Sequence, residues 1–532
     1  MTENLKWYES NFPKRLELCE RYLSGMFDAD KNKEPFFGIT RLPDGTLQAH
    51  HAVEIGIPHV TGRACDIMYT IESTTGKPIK AEVEKVYVDY LFSCCDLEDY
   101  LPVFYWDDKP NLPYVEFHNL RECLESLVWL IQLRGSERAS RIAQGMLDTI
   151  ETLTNPETHR YDVEMLKKLS PEKADKFSRL GIPLPLGQGR LVGPLLLLHR
   201  ATGNLKALKL AGWYAESTME YCFSPEGLVK NEAANHVHSI TSSLSGILAY
   251  ALYTGRNDLY EHVKKVYVTG LRNAYSSYGY CKEQLWFPSE QGESNQVGDL
   301  IQVQLMFAQH EHSAKWYSRA EKFMRGGLLP AQVITTDGYT KANDNPESDA
   351  QYNMQERGIG GFGFPNPSCH LSGEHCELNT IDITQGSVQG ICAFMKQIVT
   401  RKDEKTYLNL LFDTENEYAK VTSALPLKGQ LVVEIRKGGM FAARIPERCK
   451  EGTYKITRNG KEIPYFIRDS YAEIGCVLPG DEVIIEFEPE HSKEVEFVCH
   501  KPYTVEWYGE QACGISPEEG LYPLFGEFPP IQ

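Results

Sequence analysis

The sequence predicts a mainly α chain in which an (α/α)6 barrel of six helical hairpins is followed by a C-terminal antiparallel β-sandwich. Three observations carry that expectation. A weak helix–turn–helix repeat recurs six times, its copies are irregularly spaced, and near residue 405 the hydrophobic period changes from helical to alternating. The domains are accordingly placed at 1–404 for the barrel and 405–532 for the β-domain.

In each copy the first helix is rich in small and apolar residues, while the second carries Lys, Glu and Arg on one face. That asymmetry suits an inner ring and an outer ring. The turns fall at Gly76, Gly135, Gly203 and Gly255, near Glu311 and near Arg401. The sixth copy, ITQGSVQGICAFMKQIVTRKDEKTYLNLL, is expected to be a helix pair like the others. An open solenoid would also stack helix pairs, but its repeats hold a near-constant length and these do not. The stretch from Pro330 to Gly373, rich in Gly, Asn, Asp and Pro, is expected as a loop system over one mouth of the barrel. Beyond it, runs such as QLVVEIRK and DEVIIEFEP alternate between turn signals Arg-Asn-Gly and Pro-Gly-Asp, as strands do.

Composition narrows the partners. With 73 acidic against 55 basic residues the net charge is −18, which argues against nucleic acid and anionic membranes. No stretch approaches the roughly 20 apolar residues that span a bilayer, and the start MTENLKWYESNF lacks the pattern of a secretory leader. Fourteen cysteines without regular spacing, among them the adjacent Cys94 and Cys95, read as reduced thiols of a cytoplasmic protein. A homodimer is left open.

In such a barrel the N-terminal ends of the inner helices surround one mouth, and helix N-termini favour carboxylates and polar ligands. These ends supply His59 and Arg63, then Glu116, His118 and Arg121, then Gln188 and Arg190, then His236 and His238, then Asp299, and last Glu374, His375, Cys376 and Glu377. Any one of them alone reads as a cap or a satisfied polar contact; their convergence points to a site. The stretch YCKEQLWFPSEQGESNQVGDL adds Glu283, Glu290 and Glu293 beside Trp286 and Phe287. Carboxylates interleaved with aromatics suit sugar, which stacks on rings and is cleaved by paired carboxyls. A solvated acidic loop is the plain alternative.

From about Gly187 onward these residues resemble the family 127 glycoside hydrolases, the β-L-arabinofuranosidase-like six-hairpin enzymes, and their neighbours in families 146 and 154. The family's His-x-Asn-Thr motif is similar to His238-Ser239-Ile240-Thr241, and its acid/base Glu falls on Glu283 in Lys282-Glu283-Gln284-Leu285. Its Glu-Thr-Cys zinc motif falls on Asp299-Leu300-Ile301, and its Cys-Cys-x-x-Asn motif on His375-Cys376-Glu377-Leu378-Asn379. In the β-domain, MFAARIPE and the Asn-Gly and Gly-Asp turns also match. Ile301 cannot bind a metal and His375 stands where the nucleophilic cysteine should be, so the resemblance implies a degraded metal site and no cofactor. An Asp/His/Cys zinc site on Asp299, His375 and Cys376 is the alternative.

The resemblance therefore implies an exo-acting glycoside hydrolase that removes a terminal sugar, β-L-arabinofuranoside-like, from an oligosaccharide. Glu283 is the expected acid, Asp299 the base or nucleophile, and His238 the group that orients the sugar. Arg63, Arg121, Arg190, His236, Trp286, Glu374 and His375 are the expected substrate contacts. A uronic-acid hydrolase or lyase is the runner-up, because the three arginines could grip a carboxylate; ion pairs with Glu116, Glu122 or Asp66 would explain them otherwise. A non-catalytic carbohydrate-binding protein is the third reading.

Overall fold

The computed structural model describes residues 5–42, 46–51, 56–106, 109–175, 184–230, 235–286, 290–336, 344–369, 385–518 and 523–529. The helices that matter are α1 (Phe12–Gly25), the pairs α2 (Ile57–Thr75) and α3 (Ala81–Cys95), α4 (Phe117–Arg134) and α5 (Glu137–Thr152), α6 (Val192–Thr202) and α7 (Leu205–Cys222), α8 (Val237–Thr254) and α9 (Asn257–Lys265), α10 (Ser294–Glu311) and α11 (Ala314–Phe323), and finally α12 (Gln385–Met395). The first helix of each pair ends in a left-handed residue, at Gly76, Gly135, Gly203, Gly255 and His312, with φ of 69°, 59°, 74°, 71° and 53°. Glycine takes that conformation without steric cost, which is why four of the five turns are legible as glycines.

The inner helices close on themselves. α2 packs on α4, α4 on α6, α6 on α8, α8 on α10, α10 on α12, and α12 returns to α2. An open superhelix has no such return. The last seam needs very close approach: a methyl group on Gly298 of α10 would sit 1.9 Å from the carbonyl oxygen of Gly386 on α12. Asn295 ties the same seam by accepting the Gly386 amide at 2.8 Å. Deeper in, Gln389 donates to Asp66 at 2.8 Å and to Glu125 at 3.1 Å, joining α12 to α2 and α4.

The sixth copy is corrected. The N-terminal strands are β1 (Phe27–Asp28), β2 (Glu34–Arg41) and β3 (Leu47–His51), and after α12 the chain forms an antiparallel hairpin, β4 (Val399–Lys402) and β5 (Lys405–Leu408), not a second helix. Asp403 and Glu404 at its tip take φ of 47° and 65°, the tight turn that right-twisted strands require. The outer place beside α12 is filled by α1 from the other end of the barrel, which packs on both α12 and α2. Phe12 meets Phe394 with ring centroids 5.8 Å apart, and the buried Arg15 donates to the Trp7 and Leu329 carbonyls at 2.8 and 3.0 Å.

Of the Pro330–Gly373 stretch, the described part packs against α1 and a small sheet formed by residues 27–51. Arg357 donates to the Gly25 and Phe27 carbonyls at 2.7 Å each. At its far end the Pro365 carbonyl accepts the Gly292 amide, just before α10 begins at the mouth.

The C-terminal part adds β6 (Thr414–Glu415), β7 (Ala419–Ser423), β8 (Gln430–Ile435), β9 (Gly439–Arg444), β10 (Lys455–Arg458), β11 (Lys461–Glu462), β12 (Phe466–Arg468), β13 (Tyr471–Val477), β14 (Glu482–Glu486), β15 (His491–Val498), β16 (Lys501–Tyr508) and β17 (Gln511–Ser516). They form sheets in the orders β12-β13-β9-β5-β4, β6-β7-β8-β14-β10-β11 and β15-β16-β17. Pairing is antiparallel in these sheets except between β5 and β9, which run parallel and so depart from the wholly antiparallel expectation. Alternation builds the buried face: Leu431, Val433 and Ile435 of β8 point inward opposite Val421 and Ala419 of β7. Helices and sheets share one apolar core. A buried ion network locks them, with Arg444 of β9 bridging Glu321 of α11 and Glu510, the latter at 3.0 Å. The thirteen described cysteines form no disulfide, and no helix among the described residues is long and apolar enough to cross a membrane.

Two outcomes are expected. Gly298→Ala should lower stability by about 1–3 kcal/mol or more, because the added methyl forces the closing seam apart, and thermal denaturation will read it. Burial and the neighbouring Asp66 push the Glu125 carboxyl up to about 8. A carboxyl raised in the folded state adds stability that is complete below its ordinary 4.5 and is lost as pH rises through 8. Glu125→Gln should therefore flatten the upper part of the stability decline between those values in urea titrations, above the range in which Asp299 titrates.

Candidate active site

Five of the inner-helix starts named from sequence meet at one end of the barrel. The α2 and α4 starts are tied through Glu122, which is fully buried and takes His59 Nδ1 at 2.7 Å, Arg63 Nε at 2.9 Å and Arg121 Nη1 at 3.4 Å. Burial opposes its ionisation, but His59, Arg63 and Arg121 overcome that and hold the carboxyl far below its usual range. Two of the three arginines are thus engaged as ion pairs, the plainer of the two roles expected of them. Arg190, also buried, donates to Ser239 Oγ at 3.3 Å on α8. Burial, with Arg121 and Arg63 close by, pushes its guanidinium down to about 9.

The α8 and α10 starts carry two histidine–carboxylate pairs. His238 Nδ1 lies 2.9 Å from Asp299 Oδ2, and Thr241 donates to the same oxygen at 2.7 Å. Burial pushes Asp299 up to about 6 against Thr241 and the arginines, and burial drives the imidazole of His238 well below its ordinary value. At neutral pH Asp299 is mostly ionised, so Nδ1 carries the proton and Nε2 is a bare acceptor. That Nε2 is buried and has no hydrogen-bond partner among the described residues, and the same holds for the side-chain amide of Asn119 at the α4 start. His236, immediately before α8, reaches Glu293 Oε2 with Nε2 at 3.1 Å and Ser239 Oγ with Nδ1 at 3.0 Å.

Glu283 arrives from outside the helices. Its segment is laid between the α8 and α10 starts by bridges pairing His236 with Gln284 and Lys282 with Gly292. The Val237 amide donates to the Glu283 carbonyl and the Glu283 amide to Gln291, both at 2.8 Å. This brings Glu283 against Glu293, and the two carboxyls separate. Burial and the charge of Glu293 raise Glu283. Glu293, although more deeply buried, is held below its usual range, the hydrogen bond from His236 opposing the cost of burial. The sequence placed Glu293 in the acidic stretch without giving it a partner; its position directly before α10, opposite His236, is the signal that could have found one.

Trp286 lies 57% exposed at the end of the same segment. Glu290 is taken by Lys501 at 2.7 Å and Gln188 by the Tyr161 amide at 2.6 Å, so neither faces the cluster unengaged. Glu374, His375, Cys376, Glu377 and Phe287 lie outside the described residues, as does the side chain of His118. Of the positions that match the zinc motif, Ile301 is a buried core residue without a donor atom, and Asp299 spends Oδ2 on His238 and Thr241. Ile301 therefore offers a metal ion nothing, while His375 and Cys376, the other members of the zinc alternative, lie outside the described residues.

No family model matches the chain, and no curated protein matches it. Solved structures do. A GH127 beta-L-arabinofuranosidase from Geobacillus stearothermophilus T6 superposes with a TM-score of 0.58 at 13% identity, over 93% of this chain and 80% of that one. A second GH127 beta-arabinofuranosidase gives 0.60 at 14% identity, over 94% and 79%. A sugar epimerase from a ruminal bacterium gives 0.53 at 12% identity, over 74% of this chain and 99% of its own. The chain therefore has the fold of the six-hairpin glycosidases across barrel and sheets.

The Glu122 cluster yields a test of the mouth's electrostatics. A carboxyl depressed in the folded state adds stability above its ordinary 4.5 that is lost as pH falls through and below that value. Glu122→Gln should cost about 3–5 kcal/mol at pH 7, since it leaves buried cations unpaired. The gap to the wild type should narrow below pH 4.5, as read by denaturant unfolding.

Proposed function

We propose that the chain is a glycoside hydrolase of the family 127 type that removes a terminal sugar from an oligosaccharide. The observation that carries this reading is the split between Glu283 and Glu293, two carboxyls at one mouth whose surroundings push one up and the other down. That is the division of labour glycosidic cleavage needs. Glu283 delivers its proton to the glycosidic oxygen as the bond to the anomeric carbon breaks. Glu293, held by the Nε2–H of His236, provides the ionised carboxylate for the developing oxocarbenium ion; water then bonds to the anomeric carbon and its proton returns to the Glu283 carboxylate.

We assign the second carboxylate to Glu293 rather than Asp299 because Asp299 is committed to His238 and Thr241. Asp299 then acts as a positioning residue, fixing the His238 tautomer so that bare Nε2 accepts a sugar hydroxyl. The fold likeness supports the reading, although a sugar epimerase shares the barrel, so the chemistry rests on the carboxyl pair. No step runs through a metal.

A panel of aryl glycosides and glucuronides tests the activity. With a substrate found, Glu283→Gln and Glu293→Gln should each lower kcat by roughly 10²–10⁴-fold with folding intact. Turnover should fall as pH rises through the elevated Glu283 value. His236→Phe should lift Glu293 and move the acid limb of the profile upward, a shift that mere loss of packing would not produce. Absence of turnover across the panel would leave the carbohydrate-binding reading in its place.

A further inference from the structure

A cavity of about 890 Å³ opens between the barrel and the β15–β16 hairpin, on the far side of the segment that carries Glu283. It lies toward the top of the roughly 300–1,000 Å³ range of ligand sites, and so has room for more than one monosaccharide. Lys282 and Trp286, which flank Glu283, line one wall. Phe497 and His500 from the tip of the β15–β16 hairpin line another, and Arg272 a third. Trp286 and Phe497 are large rings left 57% and 75% exposed, an arrangement that costs solvation unless a partner covers it.

The lining charge is the second, independent observation. The chain carries −18 overall, yet none of the described residues that line this cavity is acidic, while Arg272 and Lys282 both line it. Lys282 is 6% exposed and Arg272 is exposed, and neither side chain forms an ion pair among the described residues; the Lys282 charge lies beside the Cys499 thiol. The nearby acids are otherwise engaged: Glu290 pairs with Lys501, and Glu496 accepts from Ser277 at 3.0 Å. A lysine side chain largely buried and without a carboxylate partner, beside exposed rings, fits an anionic sugar, whose face stacks while its acid group is held.

We propose that this cavity is a substrate subsite behind the Glu283 segment and that it holds an anionic oligosaccharide, with its acid group on Lys282 and Arg272 and its sugar faces on Trp286 and Phe497. The C-terminal sheet thereby takes part in substrate recognition. The place of the subsite in the reaction rests on the hydrolase reading; the binding does not.

Calorimetric titration of the full chain with trigalacturonic acid, a chondroitin sulfate tetrasaccharide and neutral maltotriose tests it. At least one acidic probe should bind ten-fold or more tighter than maltotriose, and the tighter of the two shows whether carboxylate or sulfate is read. Lys282→Met and the exposed Arg272→Met should each erase that preference, and Phe497→Ala should weaken the acidic probe at least ten-fold. Equal binding of acidic and neutral probes, no binding of any, or unchanged affinity in Arg272→Met and Phe497→Ala overturns the proposal. Acidic binding without turnover of any glycoside would sink the hydrolase reading and leave the subsite standing.

Discussion

Everything at the mouth depends on the contact between α10 and α12, where Gly298 and Gly386 let two backbones meet with no side chain between them. Only that approach allows α12 to touch α10 and α2 together, and only then is the ring complete. Asn295 makes the dependence explicit. Its Oδ1 takes the Gly386 amide of the closing helix while its Nδ2 donates to Glu293 at 3.1 Å, so ring closure and carboxylate placement share one side chain.

The mouth then works by unequal treatment of similar groups. Six carboxyls, Asp66, Glu122, Glu125, Glu283, Glu293 and Asp299, lie in or beneath it, and burial alone would neutralise them all. Glu122 and Glu293 stay charged because cations or imidazoles touch them directly. Glu283 lies next to a like charge, and burial and that charge raise it. Similar carboxyls a short distance apart are thus pushed in opposite directions by their neighbours.

Much of the fold was legible because its signals are local. A left-handed helix end calls for glycine, so the turns stood out; alternation marks a half-buried strand, so the C-terminal sheets did too. What escaped were pairings set by tertiary contact. VTRK and KTYL carry charges at helix-like spacing and were read as a helix, but two residues at positive φ make them a hairpin. α1 lies outside the repeat and finds its place only through α12. At the site, the residue types at the helix ends were readable, whereas the Glu283–Glu293 contact arises from single β-bridges that no periodicity announces. The parallel β5–β9 pair is of the same kind.

The completion of the sixth hairpin by α1 has a consequence for biosynthesis. Phe12 must wait for Phe394 to emerge, a span of roughly 380 residues, or on the order of 20–80 s at about 5–20 residues per second. During that interval α1 has α2 to pack on but lacks α12, and the five finished hairpins form an unclosed arc with two raw edges. A ribosome-bound chain of this protein is therefore a client for chaperones until its last inner helix clears the exit tunnel, and stalling before α12 should be more damaging than stalling anywhere in the sheets that follow.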